Sequence, residues 1–181
     1  MAIPARTSRP GTFFVTSGTY NRRRLFQVER NVELLIETLQ HYRTEGHYKL
    51  HAFVVMPDHI HLLLTPQETL ERAVGLIKGG FSHRLASKLP VWQRGFTDHS
   101  IRDAEDYSIR HRYSHQNPVT ARLCEKPETY LFSSANSCHE SALSIAGNTK
   151  GCSPKKWESV KSYAILLTKC QQVKSLDVFV V

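Results

Sequence analysis

The 181-residue sequence predicts an α+β fold in which a ferredoxin-like βαββαβ order forms an antiparallel sheet with helices packed on it. Two observations support this class. Runs rich in aromatic and β-branched residues alternate with segments whose apolar residues recur at helical spacing. In addition, residues 48–56 and 59–65 are two apolar runs separated only by the turn pair Pro57-Asp58, which predicts an antiparallel hairpin. A helical crossover on each side of this hairpin completes the predicted order.

One strand and one helix are predicted before the hairpin. Residues 12–20, TFFVTSGTY, are rich in aromatic and β-branched side chains and predict a strand. From Val28 to about Gly46 the apolar residues recur at helical spacing, which predicts an amphipathic helix that ends near the glycine. The recurring residues are Val32, Leu35, Ile36 and Leu39.

The chain after the hairpin returns to helical spacing. Residues 68–89 predict a helix that Pro90 ends. Gly79 and Gly80 weaken it, at a cost of about 1 kcal/mol each relative to alanine. Residues 91–101 then predict a strand with a polar end.

The last predicted elements are helical. Asp103 is a suitable N-cap for a helix that continues to about Gln116. Asn117 and Pro118 suit the N-cap and the first position of a further short helix. We therefore expect a break in the helix at this point.

Composition and charge limit the class of protein. Residues 1–135 contain all of these elements and are expected to form one domain, whereas residues 136–181 begin with a polar, Ser/Gly-rich stretch and predict a divergent tail, partly loop or disordered. The net charge of +8 favours an anionic partner, of which nucleic acid is the commonest, although a merely basic soluble protein fits the charge equally well. Without a membrane-length apolar run or a secretory signal, we expect a cytoplasmic protein with no membrane partner.

Two histidines interrupt the second strand of the hairpin. His59 and His61 are two residues apart, so they lie on the same face of the strand as Leu63, while Ile60 and Leu62 point to the other face. Their Cβ atoms are expected within about 7 Å of each other, close enough for both imidazoles to bind one divalent ion. The alternative is two surface or hydrogen-bonded histidines. The pair on one central strand favours the metal site.

A catalytic metal ion needs a further ligand, and the stretch RYSHQNP offers candidates. Asn117 and Gln116 carry amide oxygens, which are hard ligands suited to magnesium or manganese. Asn117 has the competing role of an N-cap before proline. Tyr113 lies four residues before Asn117 on the same helix face. On pattern alone, Tyr113 is better explained as a core aromatic in a buried stripe with Ile109.

Six motifs in one order give the sequence a specific resemblance. They are TYNRRRLF, FVVMPDHIHLLL, IKGGFSHRL, VWQRGFTDHSIRD, YSHQNPVTARL and ETYLFSSA, and together they span about residues 12–135. This pattern resembles the single-tyrosine HUH transposases of small insertion sequences, and within them the REP-associated tyrosine transposases. Ser114 and Arg122 depart from the family, which more often has isoleucine and glycine at these two positions.

The resemblance implies roles for individual residues. His59 and His61 are the metal ligands, Tyr113 is the nucleophile, and Asn117 occupies the place of an amide ligand; the ion is magnesium or manganese. The implied activity is that of a DNA transposase and single-strand endonuclease that cleaves and rejoins DNA near hairpins through a covalent phosphotyrosine. The partner is single-stranded or hairpin DNA, and both a monomer and a homodimer are compatible with the family.

Basic side chains near these motifs are candidate DNA contacts, because arginine and lysine bind backbone phosphates. The candidates are Arg22, Arg23, Arg24, Lys78, Arg84, Arg94, Arg102 and Arg112. For any one of them alone, a solvated surface charge is the simpler explanation. A second function also fits the sequence: a domesticated, catalytically weak protein that binds hairpin DNA. A replication initiator or relaxase is less favoured, because those proteins usually carry extra domains.

Overall fold

The computed structural model describes residues 10–137 and 139. Four strands form one antiparallel sheet in the order β2-β3-β1-β4. The strands are β1 (Phe13–Gly18), β2 (Tyr48–Met56), β3 (His59–Pro66) and β4 (Thr97–Ser100). This order is the ferredoxin-like arrangement predicted from the sequence, with β3 and β1 at the centre. Within the hairpin, β3 is therefore a central strand and β2 is an outer strand of the sheet.

Three helices cover the two faces of the sheet. They are α1 (Glu29–Thr44), α2 (Leu70–Leu85) and α3 (Ala104–Thr120). Helices α1 and α2 pack with Ile60, Leu62 and Leu64 of β3 in the main hydrophobic core. On the opposite face a smaller cluster of Phe14, Ala52 and Leu63 packs against the Tyr107 side chain of α3. The odd-numbered residues of β3, including both histidines, therefore share the face of the sheet that carries α3.

The fourth strand is shorter than the sequence predicted. Only Thr97–Ser100 pairs with β1, although a bridge between Thr19 and Trp92 brings the earlier part of the predicted segment to the end of β1. The 91–96 stretch instead runs as a loop that Lys78 holds through its ammonium, which donates to the carbonyls of Gln93 (2.9 Å) and Gly95 (2.7 Å). Loop residues 91–96 thereby lie next to the turn that follows β1.

The predicted helix break at Asn117 is wrong. Helix α3 is continuous, with Asp103 as its N-cap and Pro118 inside its last turns. Asn117 is not an N-cap, because its side-chain Nδ2 donates 2.7 Å to the carbonyl of Tyr113 within the same helix. A proline removes one helical hydrogen bond and crowds the preceding turn, but only two residues of α3 follow Pro118. The N-capping alternative for Asn117 is therefore excluded.

Helix α3 ends in a Schellman motif. The amide of Leu123 donates to the carbonyl of Pro118 and that of Arg122 donates to the carbonyl of Val119, at 2.8 and 2.9 Å. These bonds require a left-handed residue, and Arg122 adopts φ 56°. Glycine is the residue that takes this conformation without strain, which explains why the resembling family favours it here.

A segment after α3 covers the outer edge of β2. The amide of Val55 donates to the carbonyl of Phe132 (2.8 Å), and the amide of Ser134 donates to the carbonyl of Phe53 (2.9 Å). The Tyr130 hydroxyl donates to the carbonyl of Val55. An open strand edge is a template for pairing with another chain, so this cover shields the middle of β2.

The predictions about the C-terminal tail and about the membrane can be compared with the structure only for the residues that it describes. The tail predicted for residues 136–181 lies almost wholly outside the described residues. Among residues 10–137 and 139, no helix combines the length and the apolar character needed to span a bilayer.

The glycine pair of α2 yields a first prediction. A Cβ added at Gly79 meets no atom within 4 Å, whereas one at Gly80 lies 2.6 Å from the Tyr42 ring of α1. Gly79→Ala is therefore expected to raise the free energy of unfolding by about 1 kcal/mol through helix propensity, while Gly80→Ala loses this gain because it overpacks the α1–α2 contact. Urea unfolding of both variants measures the difference. Equal stabilities would contradict this account.

The left-handed Arg122 yields a second prediction. Arg122→Gly removes the steric cost of a side chain at positive φ and is expected to stabilise the protein by about 1 kcal/mol in thermal or urea unfolding. Arg122→Ala is the matched control, because it removes the charge but keeps a Cβ in the same conformation. A gain in the alanine variant as large as in the glycine variant would assign the effect to charge and not to the backbone.

Candidate active site

The two histidines lie together on the α3 face of the sheet. Their ring centroids are 4.8 Å apart, in an edge-to-face arrangement. His61 is 5% exposed, and the ring of His59 is partly exposed at the strand end. Both belong to β3, where the two-residue period places them on one face as the sequence predicted.

Each imidazole is oriented by a hydrogen bond to Nδ1. The Nδ1 of His59 lies 2.6 Å from an Asp58 carboxylate oxygen, and that of His61 lies 2.8 Å from the hydroxyl of Thr16 on β1. Arg22 in turn pairs with Asp58 at 3.0 Å. Within the described residues the Nε2 atom of neither ring makes a hydrogen bond. A fixed Nδ1 and an open Nε2 are the usual arrangement of a metal-binding histidine.

His61 is held in the neutral form. Burial, followed by the nearby His59 and Arg22, lowers the pKa of His61 to about 3. A neutral imidazole has the lone pair that binds a metal ion. The flat face of His61 packs on Phe14, with ring centroids 5.3 Å apart and an interplanar angle of 19°. The ring therefore has a fixed position and stays uncharged.

Tyr113 lies beside the histidines in the same chain. Its ring centroid is 5.7 Å from that of His61 and 5.7 Å from that of Phe14, with edge-to-face geometry in both contacts. The predicted buried stripe is wrong, since Ile109 and Tyr113 are 53% and 48% exposed. An exposed phenol next to two oriented imidazoles fits a role in chemistry better than a role in the core.

The candidate third ligands lie one turn further along α3. Because the Nδ2 of Asn117 donates to the carbonyl of Tyr113, its amide oxygen is turned away from that bond and stays available as an acceptor. Gln116 is exposed and borders a groove on another side of α3. Among residues 10–137 and 139, no three His, Cys, Asp or Glu side chains are placed to hold a metal ion.

Several predicted DNA contacts have partners within the protein. Lys78 binds the two loop carbonyls, and Arg84 joins α2 to α1 through Glu37 and the Thr38 hydroxyl. Arg102 pairs with Asp106 at 3.3 Å, and Arg23 donates to the carbonyls of Tyr20 and Pro90. These groups have structural roles, although their remaining donors can also reach a phosphate.

The side chains of three predicted contacts, Arg24, Arg94 and Arg112, make no hydrogen bond or ion pair within the described residues, and all three residues are exposed. Arg24 and Arg94 come from the two segments that meet at the end of β1, where the amide of Gln93 donates to the carbonyl of Gly18. Gly18 is the register partner of His59. The basic turn after β1 and the 91–96 loop therefore lie at the end of the sheet that carries His59.

Sequence reasoning missed the residues that orient the site. The sequence predicts Asp58 only as a turn residue, and Thr16 and Phe14 only as strand residues. Thr16 becomes recognisable once the register pairs it with His61, and Phe14 once the register places it on the same face two residues earlier. No signal in the linear sequence marks either residue without that register.

Comparisons with known proteins show which family and fold the chain shares. Residues 14–117 match the family described as "Transposase IS200 like". The REP-associated tyrosine transposase of Escherichia coli K12 is 28% identical over 126 residues, which cover 68% of this chain and 75% of the relative. A putative REP-associated tyrosine transposase of Haemophilus influenzae is 27% identical over 114 residues, 54% of this chain and 62% of the relative.

A solved structure shares the fold and most of the length. It is the structure of a REP-associated tyrosine transposase bound to a REP hairpin, and it matches with a TM-score of 0.68 and 26% identity over 84% of this chain and 96% of that chain. The resemblance to REP-associated tyrosine transposases is thus confirmed, as is the α+β fold predicted with it. With more than half of its residues matched and both histidines and Tyr113 inside the matched range, the chain belongs to the IS200-like transposase family.

Proposed function

We propose that this protein cleaves and rejoins single-stranded DNA next to a hairpin, with Tyr113 as the nucleophile. The observation that carries the proposal is the half-exposed Tyr113 ring, 5.7 Å from the buried and oriented His61 of the same chain. The related protein in the solved structure is bound to a REP hairpin. The net charge of +8 suits a DNA partner.

The proposed reaction exchanges one phosphoester for another. The phenolic oxygen of Tyr113 attacks the phosphorus in line, the new oxygen–phosphorus bond forms, and the bond to the 3′ oxygen breaks. The phenol loses its proton, and the leaving oxygen gains one to become a free 3′-hydroxyl. The 5′ end stays on the tyrosine. Because the phosphotyrosine keeps the energy of the cleaved ester, a 3′-hydroxyl can reverse the step and join strands without ATP.

The residues around the histidines fit a magnesium or manganese ion. His59 and His61 would hold the ion through Nε2, since Nδ1 of each ring is already bonded to Asp58 or Thr16. The amide oxygen of Asn117 would complete the protein ligands, with Gln116 as the alternative. When bound, the ion withdraws charge from the scissile phosphate and orients it.

The presence of Tyr113 beside the two histidines of the same chain supports catalysis in cis. Tyr113 and both histidines meet without a second copy, and the middle of the β2 edge is covered by residues 130–134. A protein that shares its tyrosine between subunits needs an interface that brings α3 to a partner's sheet. We therefore propose a monomer as the active form in the cytoplasm.

A hairpin-binding protein without cleavage is the second candidate. Ser114, next to the nucleophile, is fully buried and donates to the carbonyl of His111 (3.1 Å), so the position that departs from the family belongs to the packing under α3. The two functions differ in the formation of a covalent adduct, which one experiment measures.

Tyr113→Phe tests the nucleophile. With hairpin DNA that carries a single-stranded flank, and with manganese or magnesium, the protein is expected to give a covalent DNA adduct on a denaturing gel. EDTA abolishes the adduct because it removes the ion, and Tyr113→Phe abolishes it because no phenolic oxygen is left. Tyr20→Phe is the matched control, since Tyr20 is also exposed (41%) and follows β1. Binding without any adduct, across several hairpins and both metals, would favour the binding protein.

The basic end of the sheet yields a further prediction. Arg24→Gln and Arg94→Gln are each expected to weaken hairpin binding several-fold and to lower the slope of log K against log salt by about 1, because each removes one phosphate contact. Arg72→Gln is the control, since Arg72 lies in the first turn of α2, at the opposite end of β3 from His59, and pairs with Glu68 at 3.1 Å. An equal loss of affinity in all three variants would show that the net charge, and not a contact at this end of the sheet, determines binding.

A further inference from the structure

Arg110 is a basic side chain of α3 that the chemistry proposed above does not use. Asp106, Arg110, Tyr113 and Asn117 are separated by four, three and four residues, so they form one stripe along the helix. This stripe faces the part of the sheet that carries the histidines, because Tyr113 contacts the ring of His61. Arg110 therefore lies about one helical turn before the nucleophile, on the same side of α3.

The guanidinium of Arg110 has two contacts that fix its place. Its Nε lies 3.6 Å from an oxygen of the Asp106 carboxylate, and its Cζ lies over the ring of Phe14, 5.9 Å from the ring centroid. A cation over an aromatic face is attracted by the electrons of the ring. The same Phe14 ring stacks on His61 and meets Tyr113 edge to face, with centroids 5.3 and 5.7 Å away. One aromatic ring thus contacts the cation, a candidate metal ligand and the nucleophile.

The charge of Arg110 is not fully balanced by Asp106. The same buried carboxylate also binds the ring of His99 at 2.8 Å and Nε of Arg102 at 3.3 Å. Arg102 and Arg110 are two cations against one carboxylate, so this contact group keeps a positive excess whatever the charge of His99. A phosphodiester carries one negative charge for each linkage. The excess therefore suits a single phosphate of a DNA strand.

Arg110 also has hydrogen-bond donors left for a ligand. Within the described residues its two terminal amino groups make no hydrogen bond, and its buried Nε has no hydrogen-bond partner at the 3.6 Å that separates it from Asp106. The side chain is 33% exposed, so solvent and a ligand can reach it. A guanidinium presents its N–H groups in a planar fork that matches two oxygens of one phosphate. The side chain is thus held by Phe14 and Asp106 while its outer donors stay available.

A purely structural role for Arg110 explains less of this arrangement. The start of α3 is already joined to β4 through the bond between Asp106 and His99, and Arg102 is the closer of the two arginines to the carboxylate. Joining the helix to the sheet does not require a guanidinium over Phe14, next to the nucleophile. Its place between Asp106 and Tyr113 is instead where a cation can act on the reacting phosphate.

We propose that Arg110 binds a non-bridging oxygen of the scissile phosphate and stabilises the negative charge that grows there when Tyr113 attacks. This role rests on the proposed function. Arg110 keeps its proton throughout, so the bonds that form and break and the protons that move are those already described for the cleavage. A fixed cation stabilises the more highly charged transition state more strongly than the bound substrate. Arg110 is therefore a catalytic residue, and its loss is expected to lower the rate more than the affinity.

Single-turnover adduct formation by the full chain, with hairpin DNA in saturating amount, tests this role. Arg110→Gln is expected to slow adduct formation about 100-fold and to weaken binding of the same hairpin only several-fold, as for one phosphate contact. Arg110→Lys keeps the charge beside Asp106 but not the planar fork, so its rate is expected to lie between those of the unmodified chain and Arg110→Gln. Arg102→Gln is the control, because it removes the other arginine of Asp106.

A neutral scissile linkage separates a contact with the phosphate from an effect on the fold. In a methylphosphonate a methyl group replaces one non-bridging oxygen, which leaves no negative charge on the ground-state linkage. With at least one of the two diastereomers, the rate of Arg110→Gln is expected to lie within about three-fold of that of the unmodified chain. The loss in Arg102→Gln is expected to be the same for both linkages, because Arg102 supports Asp106 and not the scissile phosphate.

A phosphorothioate at the scissile position gives a second measurement. Sulfur in place of the oxygen that Arg110 binds is expected to slow the unmodified chain several-fold and to leave the rate of Arg110→Gln unchanged, since the contact is already lost. Each comparison uses one protein on two linkages, so a partly unfolded variant lowers both rates equally.

The outcomes separate this role from the cleavage itself. Losses in Arg110→Gln and Arg110→Lys that are equal for the phosphodiester, the methylphosphonates and the phosphorothioates would overturn the proposal, because an arginine that only holds α3 gives this result. Dependence on the linkage in either measurement supports it. Adducts from the unmodified chain without such dependence refute the role of Arg110 alone, whereas the absence of adducts from the unmodified chain, across several hairpins and both metals, refutes the proposed cleavage and this role with it.

Discussion

The register between β1 and β3 is the constraint on which the proposed site depends. It pairs Thr16 with His61 and Gly18 with His59, so one hydroxyl reaches Nδ1 of the buried imidazole, while the space beside the glycine is taken by the side chains of Gln93 and Arg22. A slip of one residue would turn both histidines into the α1–α2 core and Ile60 and Leu62 out of it. The burial of those two apolar residues therefore also fixes the orientation of the histidines.

The hydrogen bonds at Nδ1 link the sheet to the chemistry. Asp58 lies in the turn of the hairpin and also binds Arg22 from the turn after β1. The same three-residue contact thus joins the hairpin turn, one candidate ligand and the basic segment at the end of the sheet.

Much of the fold follows from the sequence, because the periodicity of apolar residues and the turn residues are local features of the chain. The bounds of β2 and β3, the two long helices and the shared face of His59 and His61 all depend on side-chain alternation and on Pro57-Asp58. The break predicted at Asn117 failed for a physical reason: an Asn-Pro pair suits a helix start, but here it lies in the last turns of a helix whose partners hold it on both sides. The roles of Thr16, Phe14 and Ser134 depend on contacts with residues that are distant in the sequence. Thr16 and Phe14 contact His61, which is 45 residues from Thr16, and Ser134 contacts Phe53, which is 81 residues away. No local sequence pattern contains such contacts.

The position of Tyr113 must come from its helix, because a half-exposed ring has few contacts of its own. At the start of α3 the buried carboxylate of Asp106 binds His99 of β4 (2.8 Å) and the side chain of Arg102 (3.3 Å). The hydrogen bond from His99 is the largest cause that lowers the pKa of Asp106 to about 2, so the acid stays charged and this end stays bound to the sheet. Beyond the tyrosine, Ser134 holds His115. The tyrosine lies between two fixed points, which leaves its hydroxyl accessible while the helix backbone that carries it is held against the histidines.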